Sequence, residues 1–303
     1  MNHIILLQQL VNALQLGSSY ALIAVGYTMV YGVLRLINFA HADIFMVGAY
    51  IGYFFAGGFV FPILGLPPGW AFIPVMFVAM VGAALSGVVI ERVAYRPLRT
   101  APRLSLLITA IGVSLALEHG TRAGIGPNFL PFPAVVSKAP IEVGGVIFTE
   151  ALIWVLITSF LLMAALSYLV RNTMIGKAMR AVSYDKEAAL MMGIDINRIT
   201  VYTFMVGSAE AAAAAVMWCQ VFPMIDPYMG LMPGIKAFVS AVVGGIGSVP
   251  GALAGGFILG ILETATAAFL PSMYRDAIAF TILIIVLIVK PTGLFGVGVL
   301  EKV

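Results

Sequence analysis

Apolar runs of membrane-spanning length recur along nearly the whole chain, and this feature restricts the fold most. Stretches long enough to cross a bilayer as a helix, about 20 apolar residues each, fall at 8–33, 40–60, 70–91, 104–119, 150–170, 199–222, 232–249, 251–270 and 275–290. Gly, Pro and polar residues interrupt the starts of 40–60 and 232–249, so these two are expected to be broken or re-entrant. The expected fold class is all-α, a polytopic transmembrane bundle of eight or nine spans. The charge content agrees: 10% of the residues are charged, against about 25% in soluble chains. A single cysteine, Cys219, excludes an internal disulfide framework and a cysteine-rich metal site. A net charge of +3 gives no reason to expect nucleic acid as a partner. The opening MNHIILLQQL carries no Lys or Arg before its apolar residues, so a cleavable signal is not expected.

Orientation follows from the basic residues, which stay on the cytoplasmic side. Nine of the 16 Lys and Arg lie in two short segments. Arg92, Arg96, Arg99 and Arg103 fill one; Arg171, Lys177, Arg180, Lys186 and Arg198 fill the other. Two spans separate them, so both face the cytoplasm together. The 120–149 loop, with only Arg122 and Lys138, then falls outside, as does the N-terminus, while Lys290 and Lys302 fall inside. Arg92, Arg96 and Arg99 either set orientation alone or make a specific contact.

Two patterns lie within the spans. Gln8, Asn12, Gln15 and Ser19 recur at intervals of four, three and four, forming one polar stripe on an apolar helix. Amides facing lipid are costly, so the stripe either bonds another helix or lines a pathway. Gly247, Gly251 and Gly255, with Gly256 and Gly260, are spaced by four, which lets helix backbones approach closely. Pro250 keeps that ridge from being one regular helix. The stretches YGVLRLINFAHADIFMVGAYIG and VVGGIGSVPGALAGGFILG both run from an apolar segment through a glycine-containing break into a helix, an echo of the repeats common in transporters.

The segment MRAVSYDKEAALMMGIDINR, residues 179–198, is unlike the rest. Ser183 is the expected N-cap, Asp185 and Glu187 fall in the first turn, where the helix dipole favours negative charge, and Gly193 is the stop. The helix so marked has about nine residues and a length of about 13 Å, too short to span. Its methionines and alanines suit a groove on another protein.

Glu187, Ala188 and Ala189, followed by three residues and Gly193, resemble the EAA loop of ABC importer permeases. In that family the loop forms a coupling helix seated in a cleft of the ATP-hydrolysing subunit. The match is partial, because the chain passes through Asp195 to Arg198 into the next span without the downstream proline. LGSSYALIAVGYTMVYGV, INFAHADIFMVGAY, IERVAYRPLR, AFVSAVVGGIGSVPGALAGGFILG and KPTGLFG together resemble LivH-type permease subunits of branched-chain amino acid ABC importers. The resemblance implies one transmembrane permease domain over 1–303, with a periplasmic loop at about 120–149 and a cytoplasmic coupling-helix loop at about 171–198. It implies a bacterial inner membrane location and Leu, Ile and Val as substrates. The implied partners are a LivM-type second permease subunit, two ATPase subunits, a periplasmic substrate-binding protein and membrane lipid. No GxxxxGK[ST] phosphate loop occurs, so ATP and Mg are expected on the ATPase subunits and no cofactor on this chain. No enzymatic activity is expected.

Asn38, His41 and Asp43 sit near the expected break between the first two spans. Asn38 is placed to cap a helix beginning near Phe39, with Asp43 in its first turn. The group either satisfies backbone freed at the break or presents a helix N-terminus to a substrate carboxylate; with no third ligand nearby, metal binding is not expected. Glu210 and Glu263 lie inside spans and are candidates for a pathway or for ion pairs, as is Lys236, expected near the outer surface. Arg35 stands where the resembled family often has an uncharged residue. Two further readings stay open: a permease for urea, a short amide or another amino acid, and an autonomous ion-coupled carrier using Asp43, Glu210 and Glu263.

Overall fold

A computed structural model describes residues 3–34, 38–99, 101–137 and 139–296; Arg35, Lys138 and Lys302 lie outside the described residues. Eleven α-helices are present among them: α1 His3–Leu34, α2 Ala40–Phe55, α3 Phe72–Ile90, α4 Arg103–Ile125, α5 Glu150–Asn172, α6 Met174–Tyr184, α7 Lys186–Met191, α8 Ile196–Val221, α9 Leu231–Gly244, α10 Val249–Phe269 and α11 Tyr274–Val289. A wider π-helical turn extends α2 from Ala56 to Leu64, and another continues α3 over Glu91–Tyr95. The strands are short: β1 Leu130–Pro131 pairs antiparallel with β4 Met224–Ile225, and β2 Pro140–Val143 with β3 Val146–Thr149.

Among the described residues, seven helices are long and apolar enough to cross a membrane. The expected spans at 232–249 and 275–290 are instead α9 of 14 residues and α11 of 16. At 1.5 Å per residue, α9 covers about 21 Å, short of a core of about 30 Å. Gly245, at φ 112°, ends α9 in a backbone conformation that favours glycine.

Small residues decide which helices are central. The spanning window of α1 is 83% buried and that of α8 is 72% buried, against 17% for α4. Between apolar helices in lipid the hydrophobic effect gives little drive, and close backbone approach takes its place. A Cβ on Gly256 would lie 2.4 Å from the Ala21 Cα, and one on Gly260 would lie 2.5 Å from the Gly17 Cα. The other arm of the ridge serves α9: a Cβ on Gly255 would sit 2.0 Å from the Ser240 carbonyl oxygen. Ala211 to Ala215 are wholly buried along α8. The outer helices turn large side chains outward: Phe77, Leu85 and Val89 from α3, Leu104 and Ile108 from α4, Ile157 and Leu161 from α5. Those side chains would be wrong for water and suit lipid.

The two faces of the bundle separate as the charge distribution requires. Gln8 exchanges two hydrogen bonds with Ile147 of β3, at 3.0 and 2.8 Å, so the α1 N-terminus lies against the 140–149 hairpin. On the opposite face Arg99 donates to the Asn197 side-chain oxygen at 2.6 Å, joining the two basic segments.

Candidate functional site

The chain between α5 and α8 folds into two helices, and three caps start these two and α8. Thr173 accepts from the Gly176 N–H at 3.1 Å and starts α6. Asp185 accepts from the Glu187 and Ala188 N–H groups, both at 3.0 Å, and starts α7. Asp195 accepts from Asn197 at 2.9 Å and Arg198 at 3.3 Å and starts α8. Ser183 is therefore not the cap; it lies in the last turn of α6. The carboxylate two residues later offers a charged acceptor to the same kind of free N–H groups and takes the role. The nine-residue helix marked in the sequence is a six-residue helix, with α6 ahead of it.

Gly193 ends α7 at φ 80°. The Ile194 N–H bonds to the Ala189 carbonyl at 3.0 Å, closing a Schellman turn. Of the EAA residues, Ala189 is buried while Glu187 and Ala188 are exposed. Met191 is 87% exposed and Met192 is 82% exposed. Ala189 is held to the bundle, and the methionines point away from it.

A second set of residues gathers where helices begin inside the bundle. α2 starts with Phe39 at its N-cap and no side-chain cap, so Asn38 does not cap it. The Asn38 side-chain oxygen instead accepts from the Tyr95 hydroxyl at 2.5 Å, and its carbonyl accepts from the His41 N–H at 3.1 Å. Asn38 is thereby committed to the end of α3. His41 is buried against Gly26, where a Cβ would come 2.3 Å from the ring, and lies 4.7 Å from the Tyr27 ring. Asp43 occupies the first turn of α2 and faces Ser114 and Glu118 of α4. The Asn38 Nδ2, His41 Nε2 and Asp43 Oδ2 atoms are buried without hydrogen-bond partners among the described residues. α9 begins against the same turn: a Cβ on Gly230 would lie 2.1 Å from the Ala42 carbonyl oxygen, and one on Gly234 would lie 2.3 Å from the Ala42 Cβ. Two helix N-termini thus meet beside one group of underbonded polar atoms.

Charges close the outer part of this arrangement. Lys236 of α9 donates to Glu263 of α10 at 2.8 Å and to Asp276 of α11 at 2.7 Å. The Tyr20 hydroxyl of α1 donates to the second Glu263 oxygen at 2.8 Å. Lys236, expected near the outer surface, is a buried side chain held between two carboxylates. Gln15, Asn12 and Ser19 line an adjoining cavity of about 170 Å³ with Trp218, Glu263 and Arg275. Gln8, expected in the same stripe, turns to β3 and to Asn12. Glu210 is buried midway along α8, its Oε2 without a partner, and it joins neither group. Arg99 pairs with the buried Glu91, whereas Arg92 and Arg96 are exposed. Tyr95, Glu118, Tyr20 and Gly230 escaped sequence reasoning. Tyrosines and isolated glycines carry no pattern of their own; only Glu118, an acid at the end of an apolar run, gave a usable signal.

These features define a class: a multi-pass membrane protein with small-residue packing at its centre, two helices that begin inside the bundle, and a short exposed helix on its basic face. Residues 9–287 match the family model described as branched-chain amino acid transport system / permease component. The chain is 43% identical to the high-affinity branched-chain amino acid transport system permease protein LivH of Escherichia coli (strain K12), over 98% of this chain and 97% of that protein. It is 41% identical to the corresponding permease protein BraD of Pseudomonas aeruginosa, over 98% of each. A ribose import permease protein, RbsC of Haemophilus influenzae, is 29% identical over 49% of this chain. The chain belongs to the family of branched-chain amino acid transport permeases.

Proposed function

We propose that this chain is the LivH-type subunit of an ATP-driven importer of leucine, isoleucine and valine in a bacterial inner membrane. It forms the pathway with a second, LivM-type permease subunit. It takes substrate from a periplasmic binding protein and couples to two ATPase subunits, which hold the ATP and Mg. The observation that carries the reading is α7, a capped helix of six residues whose methionine end stands clear of the bundle on the basic face. A short rigid helix with polarizable, adaptable side chains fits a groove on another protein. It transmits a push to α6 and α8, to which it is joined through single capped turns.

In this reading Ser183, Asp185, Glu187, Ala188, Ala189 and Gly193 shape the coupling element. Asn38, His41 and Asp43 hold the meeting point of α2 and α9, and Gln15, Glu210 and Glu263 are pathway or positioning groups. Two helix N-termini favour a carboxylate, and a mostly apolar, small-residue surround suits an aliphatic zwitterion. The chain itself carries no catalytic step. Reconstitution tests this. Proteoliposomes holding this chain with its permease and ATPase partners, supplied with the substrate-binding protein, should take up leucine only with ATP on the side of the ATPase subunits. Leucine uptake by this chain alone, driven by an ion gradient, would refute the reading and favour the carrier.

A further inference from the structure

A cavity of about 470 Å³ opens on the basic face between the ends of α3 and α1 and the starts of α4, α7 and α8. Arg96, Arg99 and Lys186 contribute to its lining, together with Val33, Leu106 and Leu190; among the described residues no Asp or Glu lines it. Arg99 is fixed in place by Glu91 and by Asn197 at 2.6 Å, and its buried Nε has no hydrogen-bond partner among the described residues. The cavity therefore joins two cations, Arg96 and Lys186, and a pre-oriented guanidinium, whose charge Glu91 offsets, to an apolar wall. It lies where helices Phe72–Leu98 and Ile196–Val221 reach the edge of their spanning segments. A small inorganic anion would use the cations and leave the wall wet. An anion on an aliphatic tail uses both.

We propose that this cavity binds the phosphate of an anionic phospholipid, with Arg96, Arg99 and Lys186 around the phosphate and the glycerol and upper acyl chain against Val33, Leu106 and Leu190. Basic pockets between helices at the cytoplasmic boundary suit this ligand. Lys186 and Leu190 belong to α7, whereas Arg96 and Arg99 lie in the turn that follows α3 and its continuation. A bound lipid thus braces the short helix against the bundle, and the site stands whether or not the coupling reading is correct.

Native mass spectrometry tests it on the full chain, with whatever subunits copurify, in non-ionic detergent. The probes are phosphatidylglycerol, phosphatidylcholine, inorganic phosphate and glycerol 3-phosphate, added separately. The expected result is retention of phosphatidylglycerol over phosphatidylcholine, weakened about five-fold by Arg96→Gln and again about five-fold by Lys186→Gln, one surface charge each. Lys177→Gln removes an exposed charge on the same face outside the cavity and should change nothing. A melting midpoint within 2–3 °C of the parent, roughly what 1 kcal/mol moves in a large chain, shows that the variants fold. Saturation by inorganic phosphate or glycerol 3-phosphate at concentrations that displace the lipid overturns the lipid in favour of a soluble phosphate. Equal retention of the two lipids, or an equal loss in Lys177→Gln, overturns the site.

Discussion

Replacing Lys236 with Met tests how the half-length helix α9 is held. Lys236 is 10% exposed and lies 2.8 Å from Glu263, which is 5% exposed, and 2.7 Å from Asp276, which is 44% exposed. The two pairs differ in weight. Removing one partner of a buried pair costs about 3–5 kcal/mol, because it strands the other charge. A half-exposed pair contributes about 1 kcal/mol or less. Among the described residues, Lys236→Met leaves Glu263 with the Tyr20 hydroxyl as its one hydrogen-bond partner, so a loss of about 3–5 kcal/mol is expected, nearly all from Glu263. Asp276→Asn should cost about 1 kcal/mol or less. The diagnostic variant is the double, Lys236→Met with Glu263→Gln. Neither charge remains, and the amide oxygen can still accept from Tyr20. Denaturant unfolding of the full chain in one detergent, followed by tryptophan fluorescence, supplies the four corners of the cycle. The double variant should be at least about 2 kcal/mol more stable than the sum of the single losses implies, well above the scatter of about 0.5 kcal/mol for independent sites. Additive losses would show that Glu263 does not depend on Lys236 and that α9 is held by packing alone.

Three other perturbations follow from the same geometry. Gly256→Val places methyl groups where a Cβ alone would meet the Ala21 backbone at 2.4 Å; overpacking of this kind costs about 1–3 kcal/mol or more, read as a lower melting midpoint. Gly193→Ala forces an alanine to φ 80° at a cost of about 1–2 kcal/mol; it should reduce copurification of ATPase subunits while the melting of the spanning helices stays near that of the parent. Glu210→Gln keeps shape and removes a titratable proton, and ATP-driven leucine uptake should persist within about two-fold, roughly 0.4 kcal/mol, whereas an ion-coupled carrier using Glu210 would lose its gradient dependence.

Seven of the nine expected spans were legible in order, because length and apolarity act locally and survive any arrangement of helices. The glycine ridge was legible for the same reason: spacing by four is a property of one helix, although its division between α1 and α9 is not. The caps show the limit. Ser183 and Asp185 are both good caps two residues apart, and only the path of α6 decides between them. Asn38 had the right residue type and position for a cap, but Tyr95, 57 residues away in sequence, claims its side chain. Lys236, Glu263 and Asp276 each carried a signal as ionisable residues near or inside apolar runs. Their union did not, since it requires three helices to be placed side by side. α9 read as a span because its apolar content continues past Gly244, where the backbone turns.

Site-directed cross-linking at Met192 tests the coupling role of α7 most directly. The chain has one native cysteine, Cys219, which is buried, so Met192→Cys supplies a single accessible thiol at the free end of the helix. In membranes holding the assembled importer, a short bifunctional reagent should join this thiol to an ATPase subunit in high yield, and ATP should change that yield. Labelling of the thiol only from the outer side of the membrane, or cross-links confined to spanning helices and lipid with no ATPase adduct, would contradict the account.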